Sequence, residues 1–195
     1  MKLHHFPLYL SIIFLWSCNQ EQEVEKTNTK RFTLLSSDQT NIDFVNTVID
    51  DKTKSIFLYA NYYGGAGVGV GDFNNDGLQD LFFAGNTVPD KLYLNQGNLV
   101  FEDYTEAAGI LDSMGWSTGV TIADINNDGF VDIYVSRELY DENSDWRKNL
   151  LYINKGDGTF EEKAAAYNID NNQRTRHATF LDYNKDGLLD LFLLT

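Results

Sequence analysis

The chain has 195 residues, 43% of them apolar and 14% aromatic, which is enough to bury a core. Its 29 acidic residues against 15 basic give a formal net charge of −14, which argues against nucleic acid, whose phosphates need a Lys/Arg footprint, and against peripheral binding to an anionic membrane surface. Composition leaves one question for the pattern to settle: the acids are either scattered for solubility or placed as ligands for hard cations.

The N-terminus reads as a leader. Lys2 is followed by an apolar run from Phe6 to Trp16, interrupted only by Pro7 and Ser11. Such a run is too short to span a bilayer as a helix, which takes about 20 residues, so it reads as a signal peptide. It ends in Leu15-Trp16-Ser17-Cys18, so residues 1–18 resemble a lipoprotein signal peptide ending at a lipobox Cys, with Cys18 lipidated as the mature N-terminus; ordinary secretion with cleavage nearby is the alternative. Cys18 is the only cysteine, which excludes an intramolecular disulfide and a thiolate metal site. Residues 19–31 are polar, lack apolar periodicity and read as a flexible tether. The expected location is therefore across the inner membrane, as an outer-membrane lipoprotein facing the periplasm or the cell exterior, with membrane contact only through the lipid anchor.

From residue 32 to 195 the organising fact is a repeat. Asp72-Phe73-Asn74-Asn75-Asp76-Gly77-Leu78-Gln79-Asp80 recurs as Asp124-Ile125-Asn126-Asn127-Asp128-Gly129-Phe130-Val131-Asp132 and as Asp182-Tyr183-Asn184-Lys185-Asp186-Gly187-Leu188-Leu189-Asp190. The separations are 52 and 58 residues. Between the loops, Leu92-Tyr93-Leu94-Asn95 matches Leu151-Tyr152-Ile153-Asn154, and each is followed by a Phe-Glu pair, Phe101-Glu102 and Phe160-Glu161. The longer second interval is an insertion between Ser136 and Asn149, which a stacked repeat tolerates. Strands are expected at Gly67–Gly71, Leu81–Ala84, Lys91–Asn95 and Val100–Tyr104. The apolar runs Ile133–Val135 and Leu191–Leu194 suit strands covered on both faces. Four short antiparallel strands per unit of about 50 residues is β-propeller arithmetic. The fold class is thus all-β, a partial propeller of four-stranded blades with two complete units and a third cut short at Thr195, a fragment of a longer protein. Two more strand candidates, Phe32–Leu35 and Ile56–Ala60, precede the first loop as possible outer strands of a blade.

The nine-residue loops carry the chemistry. Calcium takes six to eight oxygens in a loose shell. Positions one, three and five offer them: Asp72, Asn74 and Asp76; Asp124, Asn126 and Asp128; Asp182, Asn184 and Asp186. Gly77, Gly129 and Gly187 at position six allow the positive φ that turns the chain. Leu78, Phe130 and Leu188 at position seven would give a carbonyl while their side chains point to the core. Asp80, Asp132 and Asp190 would complete the shell. An all-oxygen set favours one structural Ca2+ per loop over zinc or copper. An EF-hand is excluded, because its twelfth position needs Glu and these loops place Phe83, Val135 and Leu193 there. Nine of the 29 acids lie in these loops, so the charge is patterned.

With Leu92 to Gly97, Phe101 to Gly109 and Gly115 to Val120 added, the pattern resembles the FG-GAP/VCBS repeats of integrin-α-like propellers. Within these it is similar to bacterial lipoproteins of the ASPIC/UnbV, cartilage-acidic-protein-like group. The resemblance covers roughly residues 55–195 and implies a calcium-stabilised propeller in an extracellular or surface setting.

Other candidates fail. Gly64 to Gly71 holds no G-x-G-x-x-G register and suits a strand better than a phosphate cradle. His177, beside Arg174 and Arg176, pairs with no nucleophile by motif. The insertion with Tyr140 and Trp146 reads either as a ligand-contacting surface or as a solvated loop. The expected function is a non-catalytic cell-surface binding or adhesion module for an extracellular protein or glycan. The alternative is the scaffold of a polysaccharide-active enzyme whose catalytic domain lies beyond residue 195.

Overall fold

Short β-branched and aromatic runs separated by Asx/Gly turns fold as antiparallel meanders. The computed structural model describes residues 31–110, 115–138 and 144–195. The leader, Cys18, the tether up to residue 30 and Tyr140 lie outside the described residues. The repeats lie within one compact unit, Leu35–Thr195.

The first sheet has the order β1 (Val68–Gly71), β2 (Asp80–Phe83), β3 (Lys91–Asn95), β4 (Phe101–Asp103). The second repeats it with β5 (Ser117–Ala123), β6 (Asp132–Arg137), β7 (Leu150–Asn154), β8 (Phe160–Glu162). The third is a two-stranded pair, β9 (His177–Leu181) and β10 (Asp190–Leu194). All pairings are antiparallel, and the acidic loops close equivalent hairpins at Gly71↔Asp80, Ala123↔Asp132 and Leu181↔Asp190. The all-β reading holds, with antiparallel sheets of four strands in the first two repeats.

The core lies between sheets. Phe73, Phe82, Leu92 and Ile110 from the first repeat meet Val120, Ile133, Val135 and Tyr152 from the second. Tyr134, Leu151 and Ile153 turn the other way, onto Ala178, Phe180 and Leu191 of β9–β10. β6 is therefore buried along its whole length, as a strand covered on both faces should be.

The glycine run before the first loop is explained by this stacking. A Cβ on Gly67 would lie 2.9 Å from the Val120 nitrogen, and one on Gly69 would lie 2.6 Å from the Val120 side chain. Gly67, Gly69 and Gly71 share one strand face, so the missing side chains let β1 approach β5 closely.

The two early strand candidates are not strands. Residues 31–36 carry no strand, and Ser37–Thr40 is a single helical turn, α1, capped by Ser36 and Gln39. Ile56–Ala60 is a run of turns, in which the Leu58 and Tyr59 N–H groups donate to Ser55 O (3.0 and 2.9 Å) and Tyr62 N–H to Tyr59 O (3.0 Å). In the second candidate only Tyr59 is buried, and with Tyr62, three residues further on, it packs onto Trp116. The intervening chain covers the outward face of the first sheet instead of extending it. Phe44 stacks on Phe83 with centroids 5.0 Å apart, and the Tyr93 hydroxyl donates to the Asp43 carboxylate at 2.6 Å.

Candidate metal centres

All three acidic loops share one local design. The Asp72 carboxylate accepts the N–H groups of Asp76 (3.0 Å) and Gly77 (2.8 Å), and Asn74 Oδ1 also accepts the Asp76 N–H (3.1 Å). Asn74 Nδ2 donates to Asp76 Oδ2 (2.9 Å), while Asp76 Oδ1 accepts the Leu78 N–H (2.8 Å). The same five bonds recur for Asp124, Asn126, Asp128 and Phe130. They recur again for Asp182, Asn184, Asp186 and Leu188. Positions one, three and five are thus gathered by the loop's own backbone, and Oδ1 of positions one and three meet at a single N–H. In the third loop the Leu188 N–H and the Asn184 amide hold the Asp186 carboxyl below its usual range.

The turn uses two left-handed residues per loop. Gly77, Gly129 and Gly187 have φ of 88°, 90° and 86°, as expected at position six. Position four is also left-handed, at 57° for Asn75, 59° for Asn127 and 63° for Lys185. Asn at two of these positions is the sequence signal for it, since Asn tolerates this region best after Gly. Lys185 has no such tolerance.

Position seven departs from expectation. The side chains of Leu78 and Leu188 are exposed, and Phe130 is half-buried over Gly156, so none of them enters the core. The core residue of the first loop is at position two, Phe73, because it continues the face of Gly69 and Gly71 across the strand end.

Position nine is the deepest carboxylate. Asp80 and Asp132 are fully buried. Asp80 accepts the Phe73 N–H (2.8 Å) on one oxygen and the Asn95 N–H (2.8 Å) on the other. Asp132 does the same with Ile125 (2.8 Å) and Asn154 (2.9 Å). Burial pushes both carboxyls above the usual range. The backbone N–H bonds act against it, and the loop's own carboxylates, Asp76 and Asp72 or Asp128 and Asp124, add to it. Asp190 is exposed and accepts one N–H, from Tyr183 (2.9 Å). Among the described residues no three carboxylate, imidazole or thiolate groups stand close enough to form a ready metal centre. The fit for a cation rests on the donors: oxygen ligands only, an Asp, an Asn and an Asp side chain converging in each loop, and in the first two loops a third, buried carboxylate held near like charges. The expected position-seven carbonyls would join from the outgoing chain.

The opposite end of the strands from the acidic loops carries a different chemistry. Trp146 does not stand free as a ligand-contacting side chain but packs on the Tyr59, Tyr62 and Trp116 cluster. Beside it Arg176 Nε pairs with the buried Glu138 carboxylate at 2.7 Å. Arg176 and the exposed His177 border a cleft of about 330 Å3 at the N-terminal ends of β1, β5 and β9.

Comparison with known proteins agrees with this architecture. The model for the FG-GAP-like repeat matches residues 72–135 and 140–193. Human cartilage acidic protein 1 is 28% identical over 157 residues, covering 74% of this chain and 22% of that protein. The mouse protein of the same name is 39% identical over 74 residues, covering 38% of this chain and 12% of the relative. The Xenopus tropicalis protein is 38% identical over 72 residues, covering 37% and 11%. The chain thus spans about a fifth of the human relative's length and about a tenth of the other two.

Proposed function

The chain belongs to the FG-GAP-like repeat family, and from that premise we propose that residues 35–195 form the calcium-stabilised part of an extracellular binding module with no catalytic machinery of its own. The observation that carries this reading is the threefold identity of the loops, each gathering Asp, Asn and Asp oxygens by the same five hydrogen bonds. A bound calcium ion would supply the positive charge that three mutually repelling carboxylates lack. Asp72, Asn74, Asp76 and Asp80 would hold it in the first loop, and their counterparts in the second and third. The role is structural, because the loops sit at hairpin ends where rigidity fixes the strand pairs they join.

The same reading places the protein outside the cytoplasm, tethered through Cys18 after removal of the leader, with an extracellular protein or glycan as its ligand. Among the described residues His177 shares its cleft with glycines, Thr118, Val120 and Arg176, a setting that supports binding over catalysis in this segment. A thermal melt of the full-length polypeptide in calcium and in chelator tests it. One site at ten times its dissociation constant adds about 1.4 kcal/mol, so the midpoint should rise on calcium addition. An unchanged midpoint and no calcium in the purified protein would sink the proposal.

A further inference from the structure

The Leu-Tyr-x-Asn signature ends in a residue whose role the fold makes plain. Asn154 is fully buried at the end of β7. Its Nδ2 donates to Phe73 O (2.8 Å), at position two of the first loop, and to Val131 O (3.3 Å), at position eight of the second. Its Oδ1 accepts the Gly156 N–H (3.0 Å), and its backbone N–H donates to Asp132 Oδ1 (2.9 Å). Every polar group of the side chain is therefore used, and one of its bonds crosses from one repeat to the next.

Together with the Phe73 N–H on Asp80, this makes a continuous chain between the two deep carboxylates. Asp80 holds Phe73, Phe73 holds Asn154, and Asn154 holds Asp132. A second link runs on the exposed side, where Asn75 Nδ2 donates to Gly129 O (3.1 Å). Position four of the first loop is thereby tied to position six of the second.

We infer that Asn154, with Asn75 in support, couples the first two loops, so that a cation in one raises the affinity of the other. The inference rests on the calcium reading of these loops. Ordering the first loop fixes Phe73 and Asn75, and through them Asn154, Gly129 and Asp132. The second ion then meets a loop whose ordering cost is already partly met, which is positive coupling. Asn154 and Asn75 are positioning residues, since they act on the loops through Phe73, Val131 and Gly129 carbonyls and stand outside the ligand positions one, three, five, seven and nine.

The test follows the Gly77 and Gly129 amide resonances of the full-length protein during a calcium titration, as separate reporters of the two loops. Asp128→Ala, which disables the second loop, should weaken calcium at the first by about 5-fold or more, the usual lower bound for site coupling. Asp76→Ala should weaken the second by the same factor, because coupling is reciprocal. In an Asn75→Ala/Asn154→Ala background both effects should shrink below about 2-fold. Asn75→Ala alone, at an exposed position, keeps the fold and should reduce the coupling in part. In chelator, Asn154→Ala should speed hydrogen exchange at the Phe73 amide, a readout independent of metal. A first loop that titrates with unchanged affinity in Asp128→Ala overturns the coupling and leaves the calcium reading standing. Resonances that do not respond to calcium at all overturn both.

Discussion

The second and third repeats use nearly the same loop, yet they differ in what surrounds it. Asp128 and Asp186 sit in matching sets of hydrogen bonds, although the second loop leads into a four-stranded sheet and the third into a pair. Their position-nine residues diverge. Asp132 is buried and accepts a second N–H from Asn154 on β7, whereas Asp190 is exposed and accepts only one. The loop's shape is thus written locally in its Asx and Gly residues, while the burial of its last carboxylate depends on a third strand.

The sharpest way to break that comparison is to remove the last carboxylate from each repeat. Asp132→Ala orphans the buried Asn154 N–H and the part-buried Ile125 N–H, at about 1–3 kcal/mol each, so a loss of roughly 2–6 kcal/mol is expected in chelator. Within residues 1–195 alone, Asp190→Ala should cost less than about 1 kcal/mol, since its partner can turn to water. Urea unfolding of the two variants measures the difference. Equal losses would show that position nine acts within the loop alone.

This contrast also marks how far the residues themselves could be read. The nine-residue pattern and the Leu-Tyr-x-Asn signature gave the strands, their order and the loops, because hairpin turns and blade strands depend on near neighbours. Position nine as a brace was not legible, since the Asn95 and Asn154 amides reach Asp80 and Asp132 only once β3 and β7 are paired. The outward Leu78 and Leu188 were misplaced for the same reason: parity is set by Phe73 and the glycines before it, not by the apolar residue after the turn. Ile56–Ala60 has strand composition, but the pull of Tyr59 and Tyr62 onto Trp116 rolls it into turns.

A second contrast sets strand glycines against loop glycines. Gly69→Ala would bring a methyl 2.6 Å from the Val120 side chain and press the first two sheets apart, with an expected cost of about 1–3 kcal/mol. A Cβ on Gly77 meets nothing within 4 Å, so Gly77→Ala should cost about 1 kcal/mol, from its left-handed φ alone. Thermal melts in chelator should rank them in that order.

Alkali probes the stacking of the second repeat on the third. Burial pushes the Tyr134 hydroxyl up to about 12 from its ordinary 10.0, and its hydroxyl donates to Ile169 O (2.8 Å). Because the folded state holds this proton more tightly, stability is unaffected below about pH 9 and falls as pH rises from 10 toward 12. Burial raises Tyr59 and Tyr93 in the same direction, with Glu138 and Asp43 adding to it. Urea midpoints at pH 8, 10 and 11 should therefore decline, and Tyr134→Phe should make that decline shallower without abolishing it. A slope unchanged by the substitution would show that Tyr134 ionises freely in the folded protein.

The smallest expected effect isolates the local half of the design. Position four is Asn in the first two loops and Lys185 in the third, all at a left-handed φ. A side chain without Asn's local hydrogen bonding pays about 1 kcal/mol or more for that conformation. Lys185→Asn should thus stabilise the third hairpin by a few tenths to about 1 kcal/mol, and Asn127→Lys should destabilise the second by a similar amount. Asn75→Lys would lose the Gly129 bond in addition, so it should cost more than Asn127→Lys. Matched losses at 75 and 127 would mean that the bond between repeats adds nothing to the fold, and that only backbone preference is at work at position four.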